Sequence, residues 1–186
     1  MARRILSVLA FCTAALPLAA SAHPGRLDAQ GCHHNRKTGE YHCHRSATDL
    51  PQGAGTASVI DGDTIDIHGQ RYRLSGIDAP ETRQICRDMS GKPYRCGQIA
   101  ANALAALIGR QTVSCVKVDV DRYQRIVAEC SVAGTDIGAF MVSQGLAVAY
   151  RKYSTAYVPD EDKAHSNRTG IWAGTFDMPW DWRRAH

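Results

Sequence analysis

Three short segments in the middle of the chain have strand patterns and are separated by tight turns: the first is apolar, and the second and third alternate polar and apolar residues. The first, Ala57 to Ile60, leads into the turn or bulge Asp61-Gly62. The second, Asp63 to Ile67, is followed by the turn His68-Gly69-Gln70 and then by the third, Arg71 to Ile77. Alternation with a period of two is typical of strands that bury one face. We therefore expect three consecutive strands.

Two later segments have the same pattern. Thr112 to Val120 and Ile126 to Val132 alternate as well, and a turn near Asp121 to Tyr123 would pair them as a hairpin. Pairing would bring Cys115 and Cys130 onto facing positions. With helices between and after the strands, this order predicts a small closed barrel of mixed α+β class.

Three helices are predicted around these strands. The first is alanine-rich, runs from Gly97 to Ile108 and stops at Gly109. The second begins at the cap Asp136 and ends at Gly145, and the third covers Pro159 to Arg168. We expect the first helix to bury one side, formed by Ile99, Ala103, Leu107 and Ile108.

The first 22 residues have the features of a secretory signal peptide. Arg3 and Arg4 precede the apolar run Ile5 to Ala20, which ends in the small residues Ala20-Ser21-Ala22. Cleavage after Ala22 would leave 20 basic and 18 acidic residues, a net charge of +2, and no membrane span. That charge is too low to indicate a nucleic-acid partner by itself. We expect the protein to be secreted or periplasmic.

Six of the seven cysteines follow the predicted signal peptide. An even number of cysteines in an exported chain indicates disulfides. Sequence proximity favours three local pairs, although spacing alone does not fix the pairing. These pairs are Cys32 with Cys43, Cys86 with Cys96, and Cys115 with Cys130.

Residues 23–55 form a polar segment rich in cysteine and histidine. Two clusters, Gly31-Cys32-His33-His34 and Tyr41-His42-Cys43-His44, flank a predicted turn at Lys37 to Glu40. A small hairpin closed by a disulfide is favoured over a zinc or copper site, because the usual zinc spacings are missing. Gly53-Ala54-Gly55 is interpreted as a linker. The predicted division is therefore a signal peptide at 1–22, this segment at 23–55 and the barrel domain at 56–186.

Acidic residues stand where the predicted strands turn. Asp61 and Asp63 follow the first strand, and Asp78 follows the third. If Asp63 and Asp78 lie on neighbouring strands, both carboxylates can point at one position, where hard oxygen ligands suit calcium or magnesium. Glu81, three residues after Asp78, could activate a water for attack on phosphorus. Taken alone, Asp-Gly-Asp is also a common solvated turn.

Two arginines add positive charge near these acids. Arg73 precedes Asp78 by five positions, and Arg125 follows the predicted turn Asp121 to Gln124. A guanidinium pairs with phosphate oxygens through two parallel hydrogen bonds and stays protonated. The alternative to phosphate binding, for either arginine, is that it forms only a salt bridge at the surface.

Several motifs together resemble the staphylococcal-nuclease-like, or thermonuclease, family over roughly Thr56 to Trp172. They are Val59-Ile60-Asp61-Gly62-Asp63-Thr64, Arg73-Leu74-Ser75-Gly76-Ile77-Asp78-Ala79-Pro80-Glu81-Thr82, Asp121-Arg122-Tyr123-Gln124-Arg125, Met141-Val142-Ser143-Gln144-Gly145-Leu146-Ala147 and Gly170-Ile171-Trp172. The resemblance implies a five-stranded oligonucleotide-binding (OB-fold) barrel and a calcium-dependent phosphodiesterase acting on DNA and RNA.

The resemblance also implies a role for each matching residue. Asp63, Asp78 and the Ala79 carbonyl would bind calcium, with Asp61 in the outer shell. Glu81 would activate water, and Arg73 and Arg125 would hold the scissile phosphate. The residues that would contact a neighbouring phosphate are Arg122, Tyr123 and Tyr150. The sequence departs from the family at Gln124, where glycine is usual, and at Ala79, where threonine is common.

The sequence thus predicts an exported, calcium-dependent nuclease that cleaves DNA and RNA with low sequence specificity. We expect a monomer without a stable protein partner. The alternative is a nucleic-acid-binding module of the same fold without turnover. The presence of Asp63, Asp78, Glu81, Arg73 and Arg125 argues against that alternative.

Overall fold

The computed structural model describes residues 32–34, 41–43 and 52–186. The predicted signal peptide at 1–22 and most of the cysteine- and histidine-rich segment lie outside the described residues. The elements in chain order are β1 (Cys32–His34), β2 (Tyr41–Cys43), β3 (Gln52–Asp61), β4 (Thr64–Ile67), β5 (Gln70–Leu74), β6 (Ile77–Asp78), β7 (Cys86–Arg87), β8 (Pro93–Tyr94), α1 (Cys96–Ile108), β9 (Thr112–Val120), β10 (Ile126–Val132), β11 (Thr135–Asp136), α2 (Ile137–Ser143), β12 (Val148–Ala149), α3 (Val158–Ser166), a 3-10 helix (Gly170–Ala173) and α4 (Pro179–Ala185).

Five of these strands close into a barrel. The order is β10, β5, β4, β3, β9, and β9 pairs with β10 to complete the ring. The β10–β5 pairing is parallel, and the other four pairings in the ring are antiparallel. The short β11 is added to β10 outside the ring. The predicted α+β fold with a five-stranded OB-type barrel is confirmed.

The barrel begins earlier than the sequence predicted. β3 starts at Gln52, and Gly53 to Thr56 pair with β9, so the interpretation of Gly53-Ala54-Gly55 as a linker is wrong. These glycines allow close packing instead. A Cβ at Gly53 would lie 2.0 Å from the Tyr72 hydroxyl, and one at Gly55 would lie 2.8 Å from the His68 ring.

The third predicted strand divides in two. Gly76 has a φ of +74°, which turns the chain between β5 and β6. β6 then leaves the barrel and pairs with β12, placing Asp78 opposite Val148. The position of Asp78 is therefore set by this small second sheet.

The helices are confirmed, but the buried face of α1 is only partly the predicted one: Ile108 is buried as expected, and Ile99 is not. Ile99 is 48% exposed, whereas Gly97, Ala100 and Leu104 face the interior. Space explains the difference, because a Cβ at Gly97 would lie 1.9 Å from the Glu81 carbonyl oxygen. The small residues of α1 let the helix approach the loop that carries Glu81.

The remaining helices follow the sequence more closely. Asp136 caps α2 by accepting a hydrogen bond from the Ala139 N–H at 2.9 Å. α4 is a fourth helix, beyond the three predicted, and lies in the tryptophan-rich tail. Within the described part of the chain, no helix is both long and apolar enough to cross a membrane.

A single main core fills the barrel and the space beneath α1 and α2. Its fully buried side chains include Ile65, Ile77, Leu104, Ile108, Val113, Val132, Ile137, Met141 and Val142. A smaller cluster forms around the Cys86–Cys96 bridge, with Val148 and Ile171 buried in it and Trp172 and Trp180 packed against it.

Two of the three predicted disulfides are present among the described side chains. Cys86 is bonded to Cys96 and Cys115 to Cys130. The backbones of β1 and β2 pair with Cys32 opposite Cys43, as the hairpin prediction requires. The bridge between those two cysteines lies outside the described side chains and stays a prediction.

We expect the double variant Cys115→Ala/Cys130→Ala to lower the free energy of unfolding by about 3 kcal/mol, because a 15-residue loop is then no longer closed in the unfolded chain. Urea denaturation monitored by circular dichroism measures the change. The wild type denatured with and without a reductant is the control. A loss below about 1 kcal/mol would contradict the expectation.

Candidate active site

Asp63 lies in the turn between β3 and β4. Asp61 shapes this turn by accepting the Asp63 N–H at 3.0 Å. Gly62 leaves no room for a side chain, since a Cβ there would lie 2.7 Å from the Ala79 Cβ. Burial, together with the nearby Asp63 charge, raises the pKa of Asp61 to about 6.

Asp78 reaches the same place from β6. Asp63 is 6% exposed and Asp78 is fully buried. The Asp63 Oδ2 accepts the Ala79 N–H at 2.7 Å, which ties the turn to the end of β6. The two acids do not lie on neighbouring strands as predicted, but on a turn and on a separate short sheet. They still converge.

Arg73 joins the two carboxylates. From β5, its Nη1 lies 2.6 Å from the Asp63 Oδ2 and its Nη2 lies 2.8 Å from the Asp78 Oδ1. Burial alone would lower the pKa of this guanidinium, but Asp63 and Asp78 more than offset it, so the pKa is raised. Arg73 therefore stays charged beside both acids.

Glu81 is connected to this cluster through Arg183 of α4. The Arg183 Nη1 donates to the Glu81 Oε1 at 2.7 Å and to the Asp78 Oδ1 at 3.0 Å. Its Nη2 donates to the Asp78 Oδ2 at 2.7 Å. Burial opposes the charge of Arg183, but its contacts with Asp78 and Glu81 raise its pKa.

Gln84 fixes the backbone that carries Glu81. It is fully buried, its Oε1 accepts the Glu81 N–H at 3.1 Å, and its Nε2 donates to the Asp177 carbonyl at 2.7 Å. The loop of Glu81 is thus tied to the segment that precedes α4.

Arg125 approaches the acids from the turn between β9 and β10. Asp121 accepts its Nε at 2.7 Å and its backbone N–H at 2.9 Å. The remaining Nη1 reaches the hydroxyl of Thr64, next to Asp63, at 3.4 Å. The guanidinium therefore lies beside Thr64, the residue that follows Asp63.

The predicted phosphate-contact residues stand farther out. Arg122 and Tyr123 are exposed on the same turn, and the Arg122 Nη2 donates to the Tyr123 hydroxyl at 2.6 Å. Tyr150 lies after β12 and stacks on Trp180, with ring centroids 5.3 Å apart and an angle of 11° between the planes. Tyr150 and Trp180 lie along one open cleft of about 1640 Å³ with Asp63, Glu81, Arg73 and Arg125.

Comparison with known proteins identifies the family. A model described as "Staphylococcal nuclease homologue" matches residues 71–174. The chain is 37% identical over 145 residues to the micrococcal nuclease of Shigella flexneri, covering 68% of this chain and 78% of that one. The chain belongs to the staphylococcal nuclease family.

Other family relatives differ in name and length. The succinoglycan biosynthesis protein ExoI of Rhizobium meliloti is 41% identical over 121 residues, and the alignment spans 63% of each chain. A probable staphylococcal-like nuclease of Oryza sativa subsp. japonica is 33% identical over 128 residues, which are 66% of this chain and 35% of that protein.

The donor set of this family member suits a hard cation. Asp63 and Asp78 supply carboxylate oxygens, and the open cleft leaves room for water ligands, which calcium retains readily. No group of three or more histidine, cysteine, aspartate or glutamate side chains within the described ranges is arranged to hold a metal ion. A cation bound to these two acids would need its other ligands from backbone oxygen and water.

Gln124 replaces the usual glycine of the family at a strained position. Its φ is +64°, in the left-handed region that glycine adopts without penalty. The turn keeps its shape through the Gln124 N–H, which donates to the Asp121 carbonyl at 3.0 Å, and through the Asp121 side chain. The departure from the family pattern therefore leaves Arg125 beside Thr64.

We expect Gln124→Gly to raise the free energy of unfolding by about 0.5–1 kcal/mol, because relief of left-handed strain exceeds the extra entropy of the unfolded glycine chain. Urea denaturation measures the change. Gln124→Ala is the matched control and should stay near the wild type, since alanine keeps the strain. Equal stability of the glycine and alanine variants would contradict this reasoning.

Sequence reasoning missed two residues of the site. Arg183 lies beyond the matched family segment, in a tail where only the tryptophans stood out. Gln84 had no motif around it. A basic pair, Arg183-Arg184, following aromatic residues was the one available signal, and it did not indicate which acids the first arginine would contact.

Proposed function

We propose that this chain is an exported, calcium-dependent nuclease that hydrolyses phosphodiester bonds of DNA and RNA with low sequence specificity. One observation carries the proposal. Asp63 and Asp78 converge on the Arg73 guanidinium, and Glu81 lies along the same cleft as Asp63 and Arg73. Membership in a family of nucleases supports the same activity.

In this proposal, Asp63, Asp78 and the Ala79 carbonyl hold the calcium ion, and Asp61 orients Asp63 through its backbone N–H. The ion, when bound, neutralises charge on the phosphate. Both acids are held in place before substrate arrives, since Asp63 accepts the Ala79 N–H and Asp78 lies in a paired strand. Little rearrangement of the turn that carries Asp63 and of β6 is then needed.

Glu81 accepts a proton from the attacking water. Its side chain is 31% exposed, so water can reach it from the cleft. Arg73 and Arg125 hold the scissile phosphate from opposite sides and stabilise the charge that develops on its oxygens. Arg122, Tyr123 and Tyr150 contact a neighbouring phosphate.

Low sequence specificity follows from these contacts. Phosphate and sugar carry no base identity, so a cleft that binds them accepts many sequences. Arg71, Arg122 and Arg125 along the cleft provide positive charge locally although the chain as a whole carries little.

Export is proposed because the N-terminal residues have the features of a signal peptide and because the protein contains disulfides. Cys86–Cys96 and Cys115–Cys130 are typical of an oxidising compartment, either outside the cell or in a periplasm. We propose that the protein acts there as a monomer, on nucleic acid, without a stable protein partner.

Incubation of the purified chain with supercoiled plasmid and with RNA, with calcium and then with an excess of chelator, tests this function. We expect degradation of both substrates with calcium and none after chelation. Binding in a gel-shift assay without degradation would instead support a non-catalytic binding module. Degradation that survives chelation would contradict the calcium requirement but would still support the nuclease activity.

A further inference from the structure

The C-terminal helix α4 occupies the acids that the proposed mechanism needs. The Arg183 guanidinium contacts both oxygens of Asp78 and one oxygen of Glu81, at 2.7–3.0 Å. With Arg73 also on the Asp78 Oδ1, each oxygen of Asp78 already accepts a charge-assisted hydrogen bond. A cation that binds Asp78 must therefore compete with Arg183.

The same contact affects Glu81. Arg183 occupies one oxygen of this carboxylate, where a water that Glu81 activates would otherwise bind. The helix in this position blocks a cation ligand and the proposed base at once.

A second contact places α4 over the proposed substrate path. One turn before Arg183, Trp180 stacks on Tyr150, as a base would stack on an aromatic ring. Trp180 therefore covers a ring that is proposed to face nucleic acid. The two contacts lie at adjacent parts of the same cleft.

α4 is a short helix with little buried surface of its own. It has seven residues, Pro179 is its one buried residue, and the Arg183 side chain is 38% exposed. Trp180 packs against the smaller core cluster, as Met178 before the helix does, and Gln84 binds the Asp177 carbonyl. Release of α4 therefore requires Arg183 and Trp180 to leave their contacts while Asp177 and Met178 stay in place.

We propose that α4 is an autoinhibitory cap, in which Arg183 takes the place of the cation on Asp78 and occupies Glu81, and Trp180 covers the ring of Tyr150. This rests on the proposed function. Calcium and nucleic acid displace the cap together, so the apparent calcium affinity equals the intrinsic affinity multiplied by the fraction of molecules in which α4 is undocked. Binding of nucleic acid then raises the affinity of the protein for calcium. Binding of calcium raises its affinity for nucleic acid by the same factor.

Calorimetric titration of calcium into the purified wild type, Arg183→Gln and Trp180→Ala tests the cap. Arg184→Gln is the matched control, since Arg184 is the next residue on the helix and pairs with Asp181. We expect Arg183→Gln to tighten calcium binding about tenfold, because glutamine removes the charge that competes with the cation for Asp78. Trp180→Ala should shift affinity in the same direction, and Arg184→Gln should stay within about twofold of the wild type.

Cleavage assays separate the cap from a role in catalysis. For Arg183→Gln we expect the calcium concentration for half-maximal rate to fall while the rate at saturating calcium stays the same. Unchanged or weaker calcium binding in both Arg183→Gln and Trp180→Ala would overturn the cap. A loss of saturated rate in Arg183→Gln would also overturn it and make Arg183 a phosphate ligand. No calcium binding by any of the four proteins would overturn the calcium site itself, and the cap with it.

Discussion

Glu81→Gln should lower the rate of phosphodiester cleavage at saturating calcium by about a hundredfold to ten-thousandfold, which is the range that a positioned general base contributes. Glutamine has nearly the same shape as glutamate and keeps a hydrogen-bond acceptor for Arg183. It cannot accept the proton of the attacking water. The initial rate on a defined oligonucleotide at saturating calcium measures the effect, and circular dichroism checks the fold.

The same substitution should leave calcium binding intact or slightly tighter, because it weakens one contact of Arg183 without removing a proposed ligand. Glu129→Gln is the matched control. Glu129 lies along the same cleft but interacts electrostatically with Asp136 rather than with the cluster at Asp78. Cleavage by Glu81→Gln at the rate of this control would remove Glu81 from the role of base.

Asp78→Asn should weaken calcium binding by roughly a hundredfold or more, since the site loses one of its two carboxylates and calcium selects charged oxygen ligands. It should also lower the free energy of unfolding in the absence of calcium by about 3 kcal/mol, because two guanidiniums lose the buried charge between them. Calorimetric titration gives the affinity, and urea denaturation gives the stability.

Asp162→Asn is the control for Asp78→Asn. Asp162 is an exposed acid of α3 that pairs with Arg151 at 3.5 Å, where a salt bridge contributes little. Both measurements should match the wild type for this control. Wild-type calcium affinity in Asp78→Asn would exclude Asp78 as a ligand, whatever happened to stability.

The acidic turn and the two arginines could be found from the sequence because short motifs carry them. Asp61 to Thr64 and Asp121 to Arg125 are local turns, and their internal hydrogen bonds involve residues at most four positions apart. Local geometry of this kind depends on residue type more than on the remainder of the fold. The roles assigned to these residues stay predictions.

Other predictions failed where the position of a residue depends on distant packing. The glycines at 53 and 55 have the composition of a linker, yet they lie in a strand because Tyr72 and His68 occupy the space beside them. Ile99 has the character of a core residue, yet it is exposed because Gly97 must face the loop of Glu81. Composition alone does not show which distant side chains occupy the space beside a residue.

The sequence by itself determined the strand pattern and the set of acids and arginines that match the family, because each depends on spacing within short segments, and it favoured the pairing of Cys115 with Cys130 that the structure contains. Only the tertiary structure decided that Asp63 and Asp78 meet across a turn and a separate sheet. It alone also placed Arg183 on Asp78, 105 positions earlier in the chain. Contacts over such separations arise from the closing of the barrel and the docking of α4, and no local pattern specifies them.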